Sequence, residues 1–528
     1  MCGVETLKMY PQIDVVVVGE GEITLVEIMQ ALTKNKNLEK VNGIIFRNNA
    51  NKIILNKKRA LLKNLDNSPI PFYDLIAVQS YLKINNLFNI YIGSGCPFNC
   101  SFCTTSLNWE HRYRVKSIKR VVKEIEQLIK AYGVSRFDFI HDNLTSDTQY
   151  CIKLAKEIKK RRLNIEFEFS SRIDTINNEI LEHVSAAGCT QIFFGIETAS
   201  KKLQKQIGKN LNIDMISNTL ESCSEVGIAA TTSFIIGFPQ ETLEDINDTL
   251  KLAFECKIFT GQLVIINLLG FYTGSALFEK YYNKLIFNNN LIDINMSHFL
   301  CKRHFAQIKS NKFIYSNYYF VEGKNNPISR ENYLFLLNFI TTAIEKYPYT
   351  INALLNELKI SSELIIKYFG KKIVKLTSKE VEQMKFKITR KDISDLTNLL
   401  CKSKYYKKGV LDSYSYDCLT NKIFCKHENN STIVNLGYVK NNKNWVLFKG
   451  NLNIITDSLN QKIISRKVCY YIITNNQGAV LTYELNKEKH DILYKIRGKK
   501  IFKKKYFCTN KKMEYFFNQC CKVGIFEI

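Results

Sequence analysis

The sequence lacks any apolar run that is long enough to cross a bilayer. The early stretch from Ile13 to Val18 is far shorter than the roughly 20 residues that a membrane helix needs. The first residues also lack the basic and apolar regions of a secretory signal peptide. Without signs of secretion, the 16 cysteines indicate reduced thiols available for metal rather than a disulfide framework. We therefore expect a cytoplasmic protein that does not enter a membrane.

Acidic residues are scarce relative to basic ones, with 49 Asp and Glu against 75 Lys and Arg and a formal net charge of +26. Residues 1–300 hold 34 basic and 31 acidic residues, which leaves 41 and 18, a net of +23, for residues 301–528. A basic region can bind nucleic acid, an acidic peptide or a membrane surface. However, no clustered basic and aromatic motif stands out, so compositional drift is the simpler explanation.

Strand-like and helix-like segments alternate from about residue 87. The apolar segments typical of strands are residues 87–93, 137–141, 165–170, 191–195, 229–237 and 262–269. Amphipathic helices lie between them, for example at residues 121–132, 152–161 and 216–226. Six strand–helix units in order predict a parallel sheet with right-handed crossovers that is covered on both faces. We predict an α/β fold, a partial (β/α)6 barrel of the TIM type, with its chemistry at the carboxyl ends of the strands.

The segments on either side of this core have different patterns. Residues 14–32 predict a strand, a turn and a helix, and a short β-pair follows near residues 43–46 and 52–55. Beyond the core, residues 471–482 predict a hairpin around Asn476-Gln477-Gly478, and helices are predicted at residues 487–496 and 512–523. We predict four parts: an N-terminal remnant with a linker (1–75), the barrel core (76–287), a mostly helical accessory region (288–430) and a small α+β domain (431–528).

The loop after the first predicted strand of the core carries Cys96, Cys100 and Cys103, spaced C-x3-C-x2-C. Three thiolates hold three irons of a [4Fe–4S] cubane and leave the fourth iron open. S-adenosylmethionine (SAM) can chelate such an iron, and one electron then cleaves its S–C5′ bond to yield a 5′-deoxyadenosyl radical. A structural zinc site is the alternative, but zinc usually takes four ligands, and His111 is the nearest candidate for a fourth. We predict a [4Fe–4S] cluster on these three cysteines.

These motifs resemble the radical SAM superfamily, and more narrowly its branch with a cobalamin-binding domain, which includes many methyltransferases. The resemblance covers residues 10–287 and implies a [4Fe–4S] cluster, SAM and an electron donor of the flavodoxin or ferredoxin type. It also implies roles for side chains at the ends of the strands. These are Phe102 beside the adenine, Asp142 at the SAM amino group, Ser170 and Arg172 at the ribose or carboxylate, and Glu197 and Gly237 after the fourth and fifth strands.

Several of these residues also have a purely structural explanation. Arg172 can pair with a neighbouring carboxylate, Asp142 can cap a helix, and Glu197 can cap the helix that starts near Ala199. Gly237 can simply shape a turn. The spacing alone does not decide between these explanations and contact with a cofactor.

The stretch from residue 14 to residue 32 resembles the last strand and helix of a Rossmann-like cobalamin-binding domain. A complete domain of that family carries a D-x-H-x-x-G motif that supplies an axial histidine, and this motif is absent here. Its absence argues against cobalamin as a cofactor of these residues. The C-terminal hairpin and its flanks resemble the small winged-helix element that binds leader peptides in ribosomal-peptide maturases, with an accessory domain of another role as the alternative.

The sequence therefore predicts a radical SAM enzyme, a transferase similar to methyltransferases, that modifies a peptide or a small natural product. One alternative is RNA modification similar to tRNA methylthiotransferases, which is weakened because no second cysteine triad precedes the barrel. The other alternative is a non-catalytic iron–sulfur or nucleic-acid-binding protein, which the basic C-terminal part motivates. The substrate is not identified by any motif.

Overall fold

The computed structural model describes two compact units, Met1–Leu334 and Phe335–Ile528. The residues it describes are 2–84, 86–260, 263–287, 304–323, 340, 343–345, 347–357, 417, 445–450, 469–476 and 479–485. Within them, no helix combines the length and the apolar character needed to span a bilayer. The predicted four-part division of the chain remains a prediction.

The N-terminal segment contains a small sheet with helices packed against it. Its elements are α1 (Gly3–Met9), β1 (Val15–Val17), α2 (Glu22–Thr33), β2 (Ile44–Arg47), β3 (Ile53–Leu55) and α3 (Val78–Ile84). The three strands pair antiparallel in the order β1-β2-β3. Ile28 and Ala31 of α2 are buried in one cluster with Ile44 and Phe46 of β2. The strand, helix and β-pair predicted for this segment are confirmed.

A parallel six-stranded sheet forms the centre of the first unit. Its strands are β4 (Phe88–Tyr91), β7 (Arg136–Ile140), β8 (Glu166–Arg172), β9 (Cys189–Glu197), β10 (Ala229–Ile236) and β11 (Val264–Leu268), with the short β5 (Gly93–Ser94) and β6 (Arg114–Val115) forming a separate pair after β4. The six strands lie in chain order and all neighbours are parallel. The predicted partial TIM-like barrel is confirmed.

Helices connect the strands, and several of them begin at a residue whose side chain caps the helix. They are α4 (Thr105–Asn108), α5 (Ile118–Tyr132), α6 (Thr148–Lys160), α7 (Asn178–Ala186), α8 (Lys201–Gln206), α9 (Ile216–Glu225), α10 (Leu243–Thr260) and α11 (Ala276–Tyr281). The side chains of Ser117, Asp147 and Asn177 accept backbone N–H groups at the starts of α5, α6 and α7. Because each crossover returns the chain to the same edge, the carboxyl ends of the strands lie together.

Strands β7 and β8 show how the sheet separates a core face from a functional face. Phe137, Phe139, Phe167 and Phe169 alternate along the two strands and are buried. The rings of Phe139 and Phe167 stack with their centroids 4.5 Å apart. The intervening residues point to the other side, where Asp138 stands opposite Glu168 in the ladder.

The remaining described elements are short or belong to the second unit. After α11 come β12 (Ile286–Phe287), α12 (Phe305–Ser310) and β13 (Tyr319–Phe320), and the second unit contains α13 (Pro348–Glu357), β14 (Trp445–Gly450), β15 (Cys469–Asn476) and β16 (Ala479–Leu485). Strand β15 pairs antiparallel with β16, from Asn476 opposite Ala479 onward, which confirms the predicted hairpin. The helices predicted near residues 487–496 and 512–523 lie outside the described residues.

Candidate active site

The cysteine loop, residues 95–103, leaves the sheet through a tight backbone crossing. Strand β5 pairs antiparallel with β6, so the two ends of the excursion lie side by side. Gly95 follows β5 with φ +99°, and a Cβ at this position would lie 1.8 Å from the carbonyl oxygen of Arg112. Only glycine satisfies both the left-handed backbone and this approach. Gly95 is therefore required by its surroundings.

The three cysteines of the loop are partly buried free thiols. The backbone N–H of Thr105 donates to Sγ of Cys103 over 3.4 Å. Farther back, Ser101 donates its N–H to the carbonyl of Ile207 at 2.8 Å and accepts the N–H of Leu277 at 2.7 Å. The loop is thus attached to the end of α8 and the start of α11, which keeps all three thiols at the mouth of the barrel.

Asp142, directly after β7, fastens the beginning of the cysteine loop. Its Oδ2 accepts the N–H of Gly95 at 2.6 Å, and its Oδ1 lies 3.4 Å from the hydroxyl of Thr105. It does not cap the following helix α6, because Asp147 does so. The helix-cap explanation for Asp142 is therefore wrong, and its position beside the loop supports a role at the site.

Arg172, the last residue of β8, is a buried cation beside Cys100. Its Nε and Nη2 donate to the two oxygens of Asp174 at 2.9 and 2.7 Å, and Nη2 also donates to the carbonyl of Lys209 at 2.8 Å. The guanidinium lies 3.8 Å above the ring of Phe98, and Nη1 is 3.9 Å from Sγ of Cys100. The pairing with Asp174 is real, but it orients the cation toward the loop instead of leaving it on the surface.

Glu197, the last residue of β9, forms a buried ion pair with Lys209 at 2.7 Å. Its backbone adopts φ +69°, a costly conformation for a residue with a side chain. A Cβ on Gly195 would lie 2.4 Å from the Glu197 carboxylate, so the glycine makes room for the pair. The following helix α8 is capped by Ser200, which shows that the helix-cap explanation for Glu197 is wrong.

The same environment sets the protonation of the thiols. Burial raises the pKa of the Cys100 thiol to about 11, although the cations of Lys209 and Arg172 oppose this shift. Burial also raises the pKa of Cys96. The thiols of Cys96 and Cys100 are therefore protonated at neutral pH in the metal-free chain, and binding of a metal must displace these protons.

Phe102 and Gly237 lie on the side of the loop that faces β10. The ring of Phe102 meets that of Phe238 edge to face, with centroids 6.0 Å apart. Gly237 has φ +93° and donates its N–H to the carboxylate of Glu241 at 2.6 Å. A Cβ at this position would make ordinary van der Waals contact, 3.8 Å from Cδ2 of Leu268 and 3.9 Å from the backbone nitrogen of Leu269. This arrangement brings Phe102, predicted beside the adenine, and Gly237 to one side of the barrel mouth.

Ser170 borders a cavity of about 240 Å³ at the ends of β4, β7 and β8. The cavity is lined by Tyr91, Gly93, Ser94, Trp109, Asp138, Phe139, Ile140, His141, Asp142 and Ser170. Burial, together with the nearby Glu168, raises the pKa of Asp138 to about 6. The cavity therefore combines aromatic walls with carboxylates next to the cysteine loop.

Two residues that support the site were not anticipated from the sequence. Lys209 supplies the cation for Glu197 and a carbonyl for Arg172. Asn143 is buried, and its Oδ1 accepts the backbone N–H of Arg172 at 3.0 Å. Neither residue belongs to a spacing pattern. Only the position of Asn143 directly after Asp142 offered a signal.

The donor set suits an iron–sulfur cluster better than a single metal ion. Within the described residues, no three His, Cys, Asp or Glu side chains converge on a point where one ion could sit. A cubane makes a different demand, because each thiolate binds its own iron. Three thiols spread over one loop, with cations beside them to balance thiolate charge, fit that demand.

A parallel barrel with three cysteines on the loop after its first strand defines a radical SAM domain. The family model of the Radical SAM superfamily matches residues 90–253, which span this loop and the strands from β4 to β10. This part of the chain is therefore a radical SAM domain.

The curated relatives of the chain include methyltransferases and a cyclase. An uncharacterized methyltransferase of Pyrococcus horikoshii is 35% identical over 291 residues, 55% of this chain and 62% of that protein. An anaerobic magnesium-protoporphyrin IX monomethyl ester cyclase of Rubrivivax gelatinosus is 27% identical and aligns with 47% of this chain and 46% of its own length. A cytidylyl-2-hydroxyethylphosphonate methyltransferase of Streptomyces wedmorensis is 26% identical over 43% of this chain and 49% of that protein. The chain spans about half to three-fifths of the length of these relatives.

Solved structures of cobalamin-dependent radical SAM enzymes share the fold. OxsB with aqua-cobalamin bound superposes with a TM-score of 0.54 at 15% identity, covering 87% of this chain and 69% of OxsB. TsrM from Kitasatospora setae, with cobalamin and a [4Fe–4S] cluster bound, gives a TM-score of 0.51 at 13% identity. The match covers 75% of this chain and 80% of TsrM. At these identities the likeness concerns the fold alone.

Proposed function

We propose that this chain is a radical SAM enzyme that cleaves SAM by one-electron reduction and methylates or otherwise modifies a peptide or small natural product. Cys96, Cys100 and Cys103 hold the [4Fe–4S] cluster in this proposal. The observation that supports it is the C-x3-C-x2-C loop at the carboxyl end of the first barrel strand, inside a radical SAM domain. The electron comes from a flavodoxin or ferredoxin, which implies a cytoplasmic setting.

When bound, a [4Fe–4S] cluster with one open iron supplies the electron that splits the S–C5′ bond of SAM. Side chains around the cysteine loop position the loop and supply the charge beside it. Asp142 fixes the start of the loop through Gly95. Arg172 keeps a positive charge beside Cys100, which favours the thiolate form that a metal requires. The surrounding barrel excludes water and stray hydrogen donors from the reacting centre.

The experiment is anaerobic reconstitution with iron and sulfide, followed by SAM and dithionite. We expect about four irons per chain and release of 5′-deoxyadenosine. Cys100→Ala should lose the brown absorbance and the SAM cleavage together. Cys223→Ala, which changes a buried thiol of α9 far from the loop, should keep both. Zinc without iron or labile sulfide in the loop would contradict the proposal.

Methyl transfer and radical chemistry leave different products from SAM. Transfer of the methyl group of SAM leaves S-adenosylhomocysteine, whereas hydrogen abstraction leaves 5′-deoxyadenosine. With candidate peptides, a methylase that activates its substrate by hydrogen abstraction should therefore form both products, and any other radical modification only the second. Binding of cobalamin to the chain is tested by measuring how much added cobalamin stays with the protein after gel filtration. The missing D-x-H-x-x-G motif leads us to expect no ligation of the cobalt by a histidine of this segment.

A further inference from the structure

We propose that Glu20, in the turn between β1 and α2, is a positioning residue for the cysteine loop. This inference rests on the proposed function, because the loop is taken to hold the cluster. Glu20 lies 76 positions before Cys96, and nothing in the spacing of the sequence connects the two. The connection is made by one buried guanidinium, that of Arg114.

The Glu20 carboxylate accepts two hydrogen bonds from different parts of the first unit. Its Oε1 accepts from Nη1 of Arg114 at 2.7 Å, and its Oε2 accepts the backbone N–H of Leu62 at 2.6 Å. The side chains of Glu20 and Arg114 are each 8% exposed, so the pair is withdrawn from water. A cation buried to this extent needs its anion, because it has lost its hydration.

Arg114 passes this restraint to both ends of the cysteine loop. Its Nη2 donates to Oγ of Ser94 at 3.1 Å, and Ser94 stands two residues before Cys96. Ser94 also accepts the hydroxyl of Tyr91, at the end of β4, over 2.9 Å. On the other side, the guanidinium lies 5.2 Å from the centre of the Trp109 ring, which follows the last cysteine by six residues.

The backbone of the same residues completes the arrangement. Arg114 stands opposite Ser94 in the β5–β6 pair. The Cβ of Trp109 lies 3.4 Å from where a Cβ on Gly95 would stand, so Trp109 packs against the sharp bend of the loop through its Cβ. Movement of the guanidinium would therefore disturb the serine, the bend and the tryptophan at once. Glu20 and the carbonyl of Leu62 hold that guanidinium in place.

Glutamine at position 20 has the same size but cannot make the same contacts. The site demands two acceptors, one for Arg114 and one for the N–H of Leu62, and a primary amide offers one oxygen and one donor group. Glu20→Gln therefore places a donor against a donor and leaves the cation without its charge partner. Glu27→Gln is the matched control, because Glu27 pairs with Arg59 in the same N-terminal segment, is more exposed and does not contact the loop.

The test is hydrogen–deuterium exchange of the full chain, wild type against the two variants. In Glu20→Gln we expect peptides that cover residues 91–109 to exchange about tenfold faster, since their anchor is lost. Peptides of α5 and α6 should be unchanged, and Glu27→Gln should match the wild type throughout. The double variant Glu20→Gln with Arg114→Gln should exchange more slowly than Glu20→Gln alone, because no uncompensated charge is left.

A second measurement addresses the cluster. In reconstituted Glu20→Gln we expect unchanged iron content. The SAM concentration that gives half of the SAM-induced change in the EPR spectrum of the reduced cluster should be about tenfold higher than in the wild type. Faster exchange throughout the barrel, or no local change, would overturn the assignment of Glu20. If the wild type assembles no cluster, the proposed function fails, while the exchange experiment still decides whether Glu20 positions the loop.

Discussion

At the scale of single residues, Arg172 gathers more contacts around the cysteine loop than any of the other residues predicted at the strand ends. We expect Arg172→Lys to lower the rate of SAM cleavage at least tenfold, because an ammonium cannot serve Asp174, the carbonyl of Lys209 and the Phe98 ring together. Quantifying 5′-deoxyadenosine under saturating dithionite measures this loss. Arg136→Lys alters a largely exposed ion pair and should have no effect. Equal rates in both variants would contradict the role of Arg172.

The buried His141 provides a prediction about pH. Burial lowers its pKa to about 4, so the folded chain prefers the neutral ring. Its contribution to stability is complete above its unfolded pKa of about 6.5 and is lost as the pH falls toward 4, about 3 kcal/mol in all. Asp138, whose pKa is raised to about 6, has the opposite dependence over part of this range. The effect of the histidine can be isolated by comparing the wild type with His141→Gln. Asp138 is present in both, so its own pH dependence cancels.

We therefore expect the urea midpoint of the wild type to fall relative to that of His141→Gln between pH 7 and pH 4.5. Unfolding of the metal-free chain followed by tryptophan fluorescence is a suitable measurement, because the ring of Trp109 lines the same cavity as His141. Midpoints that shift in parallel over this range would show that folding does not lower the pKa of His141.

Residue types at the strand ends could be predicted from the sequence, but their partners could not. Arg172 and Asp142 follow predicted strands, and parallel strands place such residues at one edge. Lys209 and Glu20 reach the site through contacts that the chain makes only after folding. Neither lies at a fixed distance from a motif, so periodicity and spacing contain no trace of them.

At the scale of elements, the bend at Gly95 makes the β5–β6 pair possible. Gly95→Ala should abolish cluster binding and lower the thermal midpoint strongly, because its Cβ would lie 1.8 Å from a carbonyl oxygen at φ +99°. Gly133→Ala is the control, since Gly133 ends α5 at φ +70° with nothing within 4 Å of its Cβ. It should cost only about 1 kcal/mol and leave iron binding intact. Iron content and calorimetry distinguish the two outcomes, and equal losses would contradict the steric argument.

The order of the elements was predictable because the alternation of apolar strands and amphipathic helices leaves few topologies. Right-handed crossovers turn such a sequence into neighbouring parallel strands in chain order, which is what β4 and β7 to β11 show. The first and last residues of the strands were less predictable than their order. Strand β9 runs from Cys189 to Glu197, beyond the predicted residues 191–195, because pairing with both neighbours extends it past its apolar segment.

At the scale of the whole molecule, the charge asymmetry provides a test of the proposed enzyme against the nucleic-acid-binding alternative. Residues 301–528 have a net charge of +23 but contain no clustered basic and aromatic motif. Random RNA should therefore bind only through its phosphates, with a dissociation constant weaker than about 1 µM at physiological salt and a steep loss of affinity as salt increases. Fluorescence anisotropy over a salt series measures this slope.

The same titration bears on function when SAM cleavage is followed in parallel. If the basic charge is only a diffuse property of the surface, saturating RNA at low salt should leave the rate of 5′-deoxyadenosine release unchanged. The reason is that the cysteine loop and its supporting residues lie within residues 1–300, whose net charge is only +3. A protein that modifies RNA would behave differently. It would bind one sequence or hairpin about a thousandfold more tightly than random RNA at physiological salt, and that RNA would change the products formed from SAM.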